Sequence, residues 1–283
     1  MVDQRDREES IKRLIHSPSY RVAYKDEEFL DSPDMRPARM ELEYLKPELA
    51  FRKQGIRSTI VVFGSTRIAE PDRARRAVER ARARLADTPT DARLQRAVTR
   101  AEKLLAKSQY YELAREFAEL VSSKCQQEGP CDYVIVTGGG PGIMEAANRG
   151  AGDGGAKSIG LNIRLPKEQH PNPFISPELC FQFHYFAIRK LHFLLRAKAL
   201  EVFPGGFGTL DELFDALTLR QTGRMQNIPI IIFGREYWER VIDFRYLADE
   251  GTIDDKDLDL IRYAETAEQA WEMIAKFHGS PNS

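Results

Sequence analysis

Cysteine is scarce in this chain, and its few copies are badly placed for pairing. Cys125, Cys131 and Cys180 form no even set and no CxxC. This argues against a disulfide framework or a structural zinc site, and three reduced, partly buried thiols are expected. No apolar run reaches ~18 residues, so no membrane span is expected. Residues 1–10 are charged and lack an apolar segment, so no secretory leader is expected either. Charge of one sign is also missing. The 42 basic and 43 acidic residues leave a net charge of −1, which gives no overall pull toward nucleic acid or an anionic membrane. His16, His170, His184, His192 and His278 show neither HxxxH nor HExxH spacing, so no metal is expected. No GxSxG elbow marks a serine hydrolase. No internal repeat or low-complexity tract is present. What remains is a cytoplasmic protein of 283 residues, 42% hydrophobic, enough for one large α/β domain or two small ones.

The chain order of apolar runs gives the fold class. Residues 1–57 are mixed and charged, broken by Pro33, Pro37 and Pro47, with short helices expected over 11–14 and 39–54. They read as a helical N-terminal extension, lying over the core or contributing to subunit contacts. The first strand is the β-branched run at 58–66, of the kind buried on both faces in a parallel sheet. A helical elaboration follows over 71–127, split near Pro89, with a further break expected near Ser108. Its basic run at 73–84 is interleaved with Glu79 and alanines rather than aromatics, and reads as a solvated helix face. Strands are expected at 133–137, 158–163, 181–183, 199–203, 229–233 and 261–264. Helices are expected at 143–150, 187–197, from 209 onward, at 237–249 and at 267–277, the last stopped by Gly279. The alternation predicts an α/β fold, a Rossmann-like doubly wound parallel sheet flanked by helices, occupying 58–283. Ligands of such sheets bind beyond the carboxyl ends of the strands, where the winding reverses.

Three turns fall at strand carboxyl ends. The most informative is Pro204-Gly205-Gly206-Phe207-Gly208-Thr209-Leu210-Asp211-Glu212. Glycines at 205, 206 and 208 let the backbone approach an anion closely. Thr209 is expected to cap the following helix, whose N-terminus carries partial positive charge. Glu212 is placed in the first helical turn, beside whatever the glycines hold. The second turn, Thr137-Gly138-Gly139-Gly140-Pro141-Gly142, fits neither GxGxxG nor a Walker A loop. NAD binding and Mg-dependent phosphoryl transfer lose ground, and a second cradle of backbone N–H groups is expected. The third turn, Gly64-Ser65-Thr66-Arg67, offers hydroxyls to a base, ribose or phosphate. Arg189-Lys190 precedes the strand of the first motif and could neutralise a phosphate or pin a carboxylate. Glu145, Glu168 and Glu212 are the candidate carboxylates for ribose hydroxyls or a catalytic water.

Together these loops resemble the LOG family, the cytokinin riboside 5′-monophosphate phosphoribohydrolases, also labelled lysine decarboxylase-like. The resemblance covers about residues 58–234 and rests on the PGGxGTxxE signature at 204–212, the glycine loop at 138–142 and Arg189-Lys190. It implies hydrolysis of the N-glycosidic bond of a nucleoside 5′-monophosphate, without metal or organic cofactor. It implies Arg189 and Glu212 as the catalytic pair. It also implies substrate or phosphate contacts from Gly64, Ser65, Thr137, Gly138, Gly139, Gly140, Gly142, Glu168, Lys190, Gly205, Gly206, Gly208, Thr209 and Thr218. A homodimer or higher homo-oligomer is implied, with no nucleic acid or membrane partner. Two other readings stand beside it. One is a nucleotide- or molybdenum-cofactor-binding protein that cleaves nothing. The other is a true PLP-dependent lysine decarboxylase, for which Lys190 and Lys198 are the candidate Schiff-base lysines.

Overall fold

A β-branched run with no polar face needs cover on both sides. In the computed structural model, which describes residues 4–126, 131–165 and 170–279, such runs form one sheet. Its strands are β1 (Thr59–Phe63), β2 (Val134–Thr137), β3 (Ser158–Ile163), β4 (Cys180–Phe183), β5 (Ala197–Val202), β6 (Ile230–Phe233) and β7 (Ile261–Ala264). All pairings are parallel, in the order β4-β3-β2-β1-β5-β6-β7. The chain winds outward from β1 to β4, then returns to lay β5 on the other side of β1. The winding therefore reverses between β1 and β5, which opens a crevice at their carboxyl ends.

The helices are α1 (Gln4–Ile15), α2 (Glu27–Asp31), α3 (Arg36–Lys53), α4 (Pro71–Ala86), α5 (Ala92–Ala106) and α6 (Gln109–Cys125). They continue with α7 (Ile143–Asp153), α8 (Phe186–Leu195), α9 (Phe207–Gln221), α10 (Arg235–Val241), α11 (Phe244–Asp249) and α12 (Ala267–His278). None of those described is long and apolar enough to cross a membrane. The chain divides into two units, Met1–Lys46 and Pro47–Ser283. In the first, Arg39 closes the turn after α2 by donating to the Leu30 carbonyl and, at 2.7 Å, to the Ser32 carbonyl. In the second, alternate strand residues feed two cores. Ile60, Val62, Ile135 and Ile231 pack under Phe117 of α6, Ile143 and Ala146 of α7, and Trp271 and Ile274 of α12. Val61, Val136, Leu200 and Ile232 pack under Phe51, Phe193 of α8, Leu213 of α9 and Trp238 of α10. On this second face Arg196 grips the buried Glu48 carboxylate with both terminal nitrogens, Nη2 at 2.8 Å. That hydrogen bonding holds the Glu48 pKa below the ordinary carboxylate range.

The α/β class and the parallel sheet agree with expectation, as does the helix break at Ser108. Two boundaries differ. The helix expected over 187–197 ends at Leu195, because Thr59 N–H bonds the Arg196 carbonyl at 2.9 Å and Thr59 pairs with Ala197. Pairing with β1 draws this stretch into β5 in spite of its helical composition. The helix expected over 237–249 is two helices. Asp243 interrupts it, its side chain accepting from Tyr246 N–H at 2.9 Å as the cap of α11.

One residue contradicts its surroundings. Glu201 sits in the middle of β5 at 0% exposure, in register with Val62 on β1 and Ile231 on β6. Neither carboxyl oxygen has a hydrogen-bond partner. Burial therefore pushes its pKa well above the ordinary value, and it folds as the neutral acid. The unfolded chain binds fewer protons above its own pKa, so this group costs stability progressively as pH rises through and beyond the ordinary carboxylate range. Glu201→Leu, close in volume, should raise Tm at pH 7 by several degrees, since each ~1 kcal/mol is worth roughly 2–4 °C at this size. The gain should shrink toward pH 4. Thermal melts of both proteins from pH 4 to 8 check this, and an equal gain at all pH values would contradict it.

Candidate active site

The site grows from the way three strand ends are held together. After β1 the Ser65 N–H bonds the Pro204 carbonyl at 3.0 Å, and the Ser65 carbonyl accepts from Ile143 N–H, the first of α7, at 3.1 Å. One peptide segment thus ties the turns that follow β1, β2 and β5. Gly142 makes this approach possible. Its φ is +74°, and a Cβ there would lie 2.3 Å from the Ser65 carbonyl oxygen. The Ser65 hydroxyl is also engaged locally, accepting from Arg67 N–H at 3.1 Å.

The two glycine loops consequently do different things. The loop at 138–142 is filled from inside. Buried Thr137 donates to Asn148 Oδ1 at 2.7 Å and accepts from Gly139 N–H at 3.0 Å. Asn172 donates to Asn148 Oδ1 at 2.9 Å and to the Gly140 carbonyl at 3.1 Å. Of this loop only Gly138 lines the main cleft. The loop at 204–208, in contrast, leaves its helix open. Gly206 is the N-cap of α9, with no side-chain cap, and the first helical bond runs from Leu210 N–H to the Gly206 carbonyl at 3.0 Å. The Phe207, Gly208 and Thr209 N–H groups precede that bond and remain as donors for an anion. The expected hydroxyl cap is therefore corrected. Thr209 lies three residues into α9, buried against Gly205, where a Cβ would meet its Oγ1 at 2.1 Å. Because α9 begins at Phe207, Glu212 lies in its second turn, not its first.

The cleft at this switch point has a volume of about 640 Å³. Arg189 and Glu212 both line it, as do Gly64, Ser65, Gly206, Gly208 and Thr209. The Arg189 guanidinium is fixed by three neighbours. Its Nε donates to the Leu161 carbonyl at 2.8 Å, and its Cζ lies 5.1 Å from the Phe193 ring centre. It also passes over Gly138, where a Cβ would stand 2.6 Å from Nη2. Burial lowers the Arg189 pKa, and the charge of Glu212 works against that. Glu212 is half-buried, and desolvation raises its pKa to about 7, though Arg189 and Lys190 both pull it down. A carboxyl that exchanges its proton near neutral pH is suited to general acid–base work.

Other expected residues lie elsewhere. Lys190 points along α9 to Asp211 at 2.9 Å and Asp215 at 2.7 Å, and does not line the cleft. Thr218 is exposed, its carbonyl accepting from the Thr222 hydroxyl. Glu145 accepts from Tyr111 OH at 3.1 Å, away from the cleft. Gly205 turns its carbonyl to Tyr237 OH. Glu168 lies outside the described residues. Sequence reading missed Asn162, which lines the cleft and donates to the Phe181 carbonyl at 3.2 Å. It also missed an apolar wall of Met144, Ile163, Leu165, Phe186 and Phe207. Phe207 is 92% exposed, and its place inside the glycine motif was the available signal.

Fold and site together define an α/β protein that presents an uncapped helix start and a carboxyl of raised pKa at the switch point of a parallel sheet. Residues 144–274 match the family model described as "Possible lysine decarboxylase". The match begins after the glycine loop at 138–142 and includes the whole of the 204–212 motif. No curated protein matches the sequence. Among solved structures, TM1055, a structural-genomics target, is 18% identical with a TM-score of 0.45, covering 77% of this chain and 99% of its own. The molybdenum cofactor carrier protein of Chlamydomonas reinhardtii is 15% identical with a TM-score of 0.46, covering 79% and 99%. The molybdenum cofactor binding protein of Rippkaea orientalis is 19% identical with a TM-score of 0.40, covering 60% and 88%.

The chemistry named in that description needs a Schiff-base lysine in the cleft. Among the described residues no lysine lines it, and Lys198 instead faces Gln226 at 3.4 Å. Neither candidate Schiff-base lysine is placed for PLP chemistry.

The glycine contacts separate two roles. Gly142→Ala meets backbone at a positive φ and should cost more than ~1 kcal/mol of stability. Gly138→Ala meets only the ends of two long side chains, Arg189 Nη2 at 2.6 Å and Met144 Sδ at 2.9 Å. It should leave Tm nearly unchanged and displace the Arg189 guanidinium, which a crystal structure of the variant would check.

Proposed function

We propose that the chain hydrolyses the N-glycosidic bond of a nucleoside 5′-monophosphate, releasing free base and ribose 5-phosphate. The observation that carries this reading is the placement of Glu212, with its pKa near 7, and Arg189 in the cleft that opens at the uncapped start of α9. The 5′-phosphate is seated on the Phe207, Gly208 and Thr209 N–H groups, where the helix dipole favours negative charge. The apolar wall of Met144, Ile163, Leu165, Phe186 and Phe207 suits a flat base.

The chemistry follows from what bond cleavage requires. As the C1′–N bond breaks, its electron pair leaves with the base and C1′ takes on oxocarbenium character. The Glu212 carboxylate stabilises that charge and can take a proton from the attacking water, whose oxygen bonds to C1′. That proton ends on the departing base. Arg189, fixed by the Leu161 carbonyl, orients the carboxylate and the sugar hydroxyls. Binding energy gained at the remote phosphate contributes to holding the reacting atoms in place.

The test is base release from AMP, GMP, CMP, UMP and isopentenyladenosine monophosphate, followed by chromatography. At least one should be cleaved. Glu212→Gln and Arg189→Ala should each lower kcat by roughly 10²–10⁴-fold with the fold retained. Because the active form of Glu212 is the carboxylate, kcat/KM should rise with pH up to about 7 and then level. Binding of a monophosphate with no turnover by the unaltered protein would make this a carrier rather than a hydrolase. Full activity in both variants would remove the assigned roles.

A further inference from the structure

Helices α4 and α5 carry positive charge that the chain as a whole does not. Residues 71–107 hold 11 basic and 5 acidic side chains, in a protein whose net charge is −1. The two helices pack against each other across the turn at 87–91. Their charges are not mixed evenly. On α4, Arg73, Arg76, Arg80 and Arg84 follow at spacings of three and four and form one row. Arg75, Glu79 and Arg82 form another, and the buried Ala74 and Val78 run between the two. On α5, Arg93, Arg96, Arg100 and Lys103 form a third row, apart from Gln95, Thr99 and Glu102.

An ion pair orients these rows. Arg82 bonds Glu102 at 2.6 Å, so the mixed rows of α4 and α5 share one side of the hairpin. Arg75 pairs with Asp72 at 3.2 Å. The all-basic rows lie across the packed stripe of each helix and therefore share the opposite side. All eight of their residues are exposed. Among the described residues none of the eight has a carboxylate partner. Glu79, which interrupts the basic run in sequence, is thus absent from the basic face.

The composition of this face selects its partner. It holds no aromatic or large aliphatic side chain. That argues against a membrane, which needs apolar anchors, and against single strands, whose bases stack on aromatic rings. Protein interfaces deplete charge at their centre, so a protein partner, a second copy included, fits poorly. Seven of the eight cations are arginines, whose guanidinium matches phosphate. Each row runs about 15 Å along its helix. Over that length B-DNA presents roughly nine phosphates, both strands counted. The helix axes stand about 8–10 Å apart, and splayed arginines reach the ~12 Å between the phosphates that border the major groove. The deep, narrow major groove of A-form RNA offers no such gap.

We propose that the basic face of the α4–α5 hairpin docks onto the phosphate backbone of duplex DNA, by charge rather than by sequence. The hairpin lies outside residues 144–274, which match the family model, and none of its residues lines the main cleft. The family resemblance, which implies no nucleic-acid partner, therefore does not bear on it. Docking is also independent of any reaction at Glu212.

The test is fluorescence anisotropy of the full chain with two labelled DNA duplexes of unrelated sequence, each two helical turns long. Both should bind, with affinities within threefold of each other. Between 50 and 200 mM salt, log K should fall against log salt with a slope of about −4 to −7, as for four to eight phosphate contacts. Arg80→Gln with Arg96→Gln should weaken binding at least tenfold and flatten the slope by about two. Arg75→Gln with Arg82→Gln removes the same charge from the mixed side and should leave affinity within threefold. No binding at 50 mM salt overturns the proposal. Equal losses in the two double variants overturn it too, because attraction then comes from a diffuse field. So does tighter binding of duplex RNA, of either single strand or of phosphatidylserine vesicles than of duplex DNA. Base release is measured separately, and neither result there changes the reading of this one.

Discussion

The Ser65 backbone is the constraint on which the site depends. Its N–H reaches the Pro204 carbonyl and its carbonyl receives Ile143 N–H, so the turns after β5, β1 and β2 cannot move independently. A parallel sheet by itself sets strand ends side by side but leaves their loops free to diverge. Here one residue closes them into a rim. The crevice between β1 and β5 becomes a walled cleft because of that closure. The cost is that Ser65 N–H and Ile143 N–H are used up and cannot serve a ligand. The open N–H groups of the rim are therefore those of α9, whose first ones have no protein partner before Leu210.

The same logic explains the electrostatics. Three basic or acidic pairs compete around α8 and α9, and burial decides among them. Lys190 is exposed enough to reach Asp211 and Asp215, and these bonds tie α8 to the outer side of α9. Arg189, one residue earlier, points inward, where the Leu161 carbonyl and the Phe193 ring hold it. It is not within ion-pairing distance of Glu212 in the structure, so it moderates the carboxyl's charge without neutralising it. Desolvation then outweighs attraction, and the Glu212 pKa rises to about 7. A direct contact would have driven that pKa down and removed the proton exchange near neutrality.

The sheet was legible because its runs are unambiguous. The stretches at 59–63, 134–137 and 230–233 are apolar and bounded by turns, and they can be little else. The 204–212 motif pointed to the cleft and to Glu212 by pattern, and Arg189 came from the separate Arg189-Lys190 pair through the family resemblance. Three things were not legible. The entry into β5 at Ala197 depends on pairing with Thr59, a contact far away in sequence. The plugging of the 138–142 loop depends on Asn148 and Asn172, whose roles exist only once α7 and the 170–174 segment are folded onto β2. Glu201 lay inside an apparently apolar run, and nothing local signals that it would be left unpaired at the sheet centre. In each case the deciding interaction joins segments that no local window contains.

The contrast between the glycine loops has a wider consequence. Both have the composition of an anion cradle, both follow a parallel strand and both precede a helix. One is occupied by the protein's own Ser65 carbonyl and two asparagine amides; the other stays open. Glycine content therefore reports close approach of some acceptor, which can be a ligand or another part of the backbone. What separates the cases is the residue facing the turn. Gly142 faces backbone at 2.3 Å from a notional Cβ, whereas Gly206 and Gly208 face open space. The open loop is also the one flanked by the Glu212 carboxyl in one cavity and by Lys103 and Lys107 in the other. Selection for binding would act on that loop, and selection for closure on its neighbour, even though the two read alike in sequence.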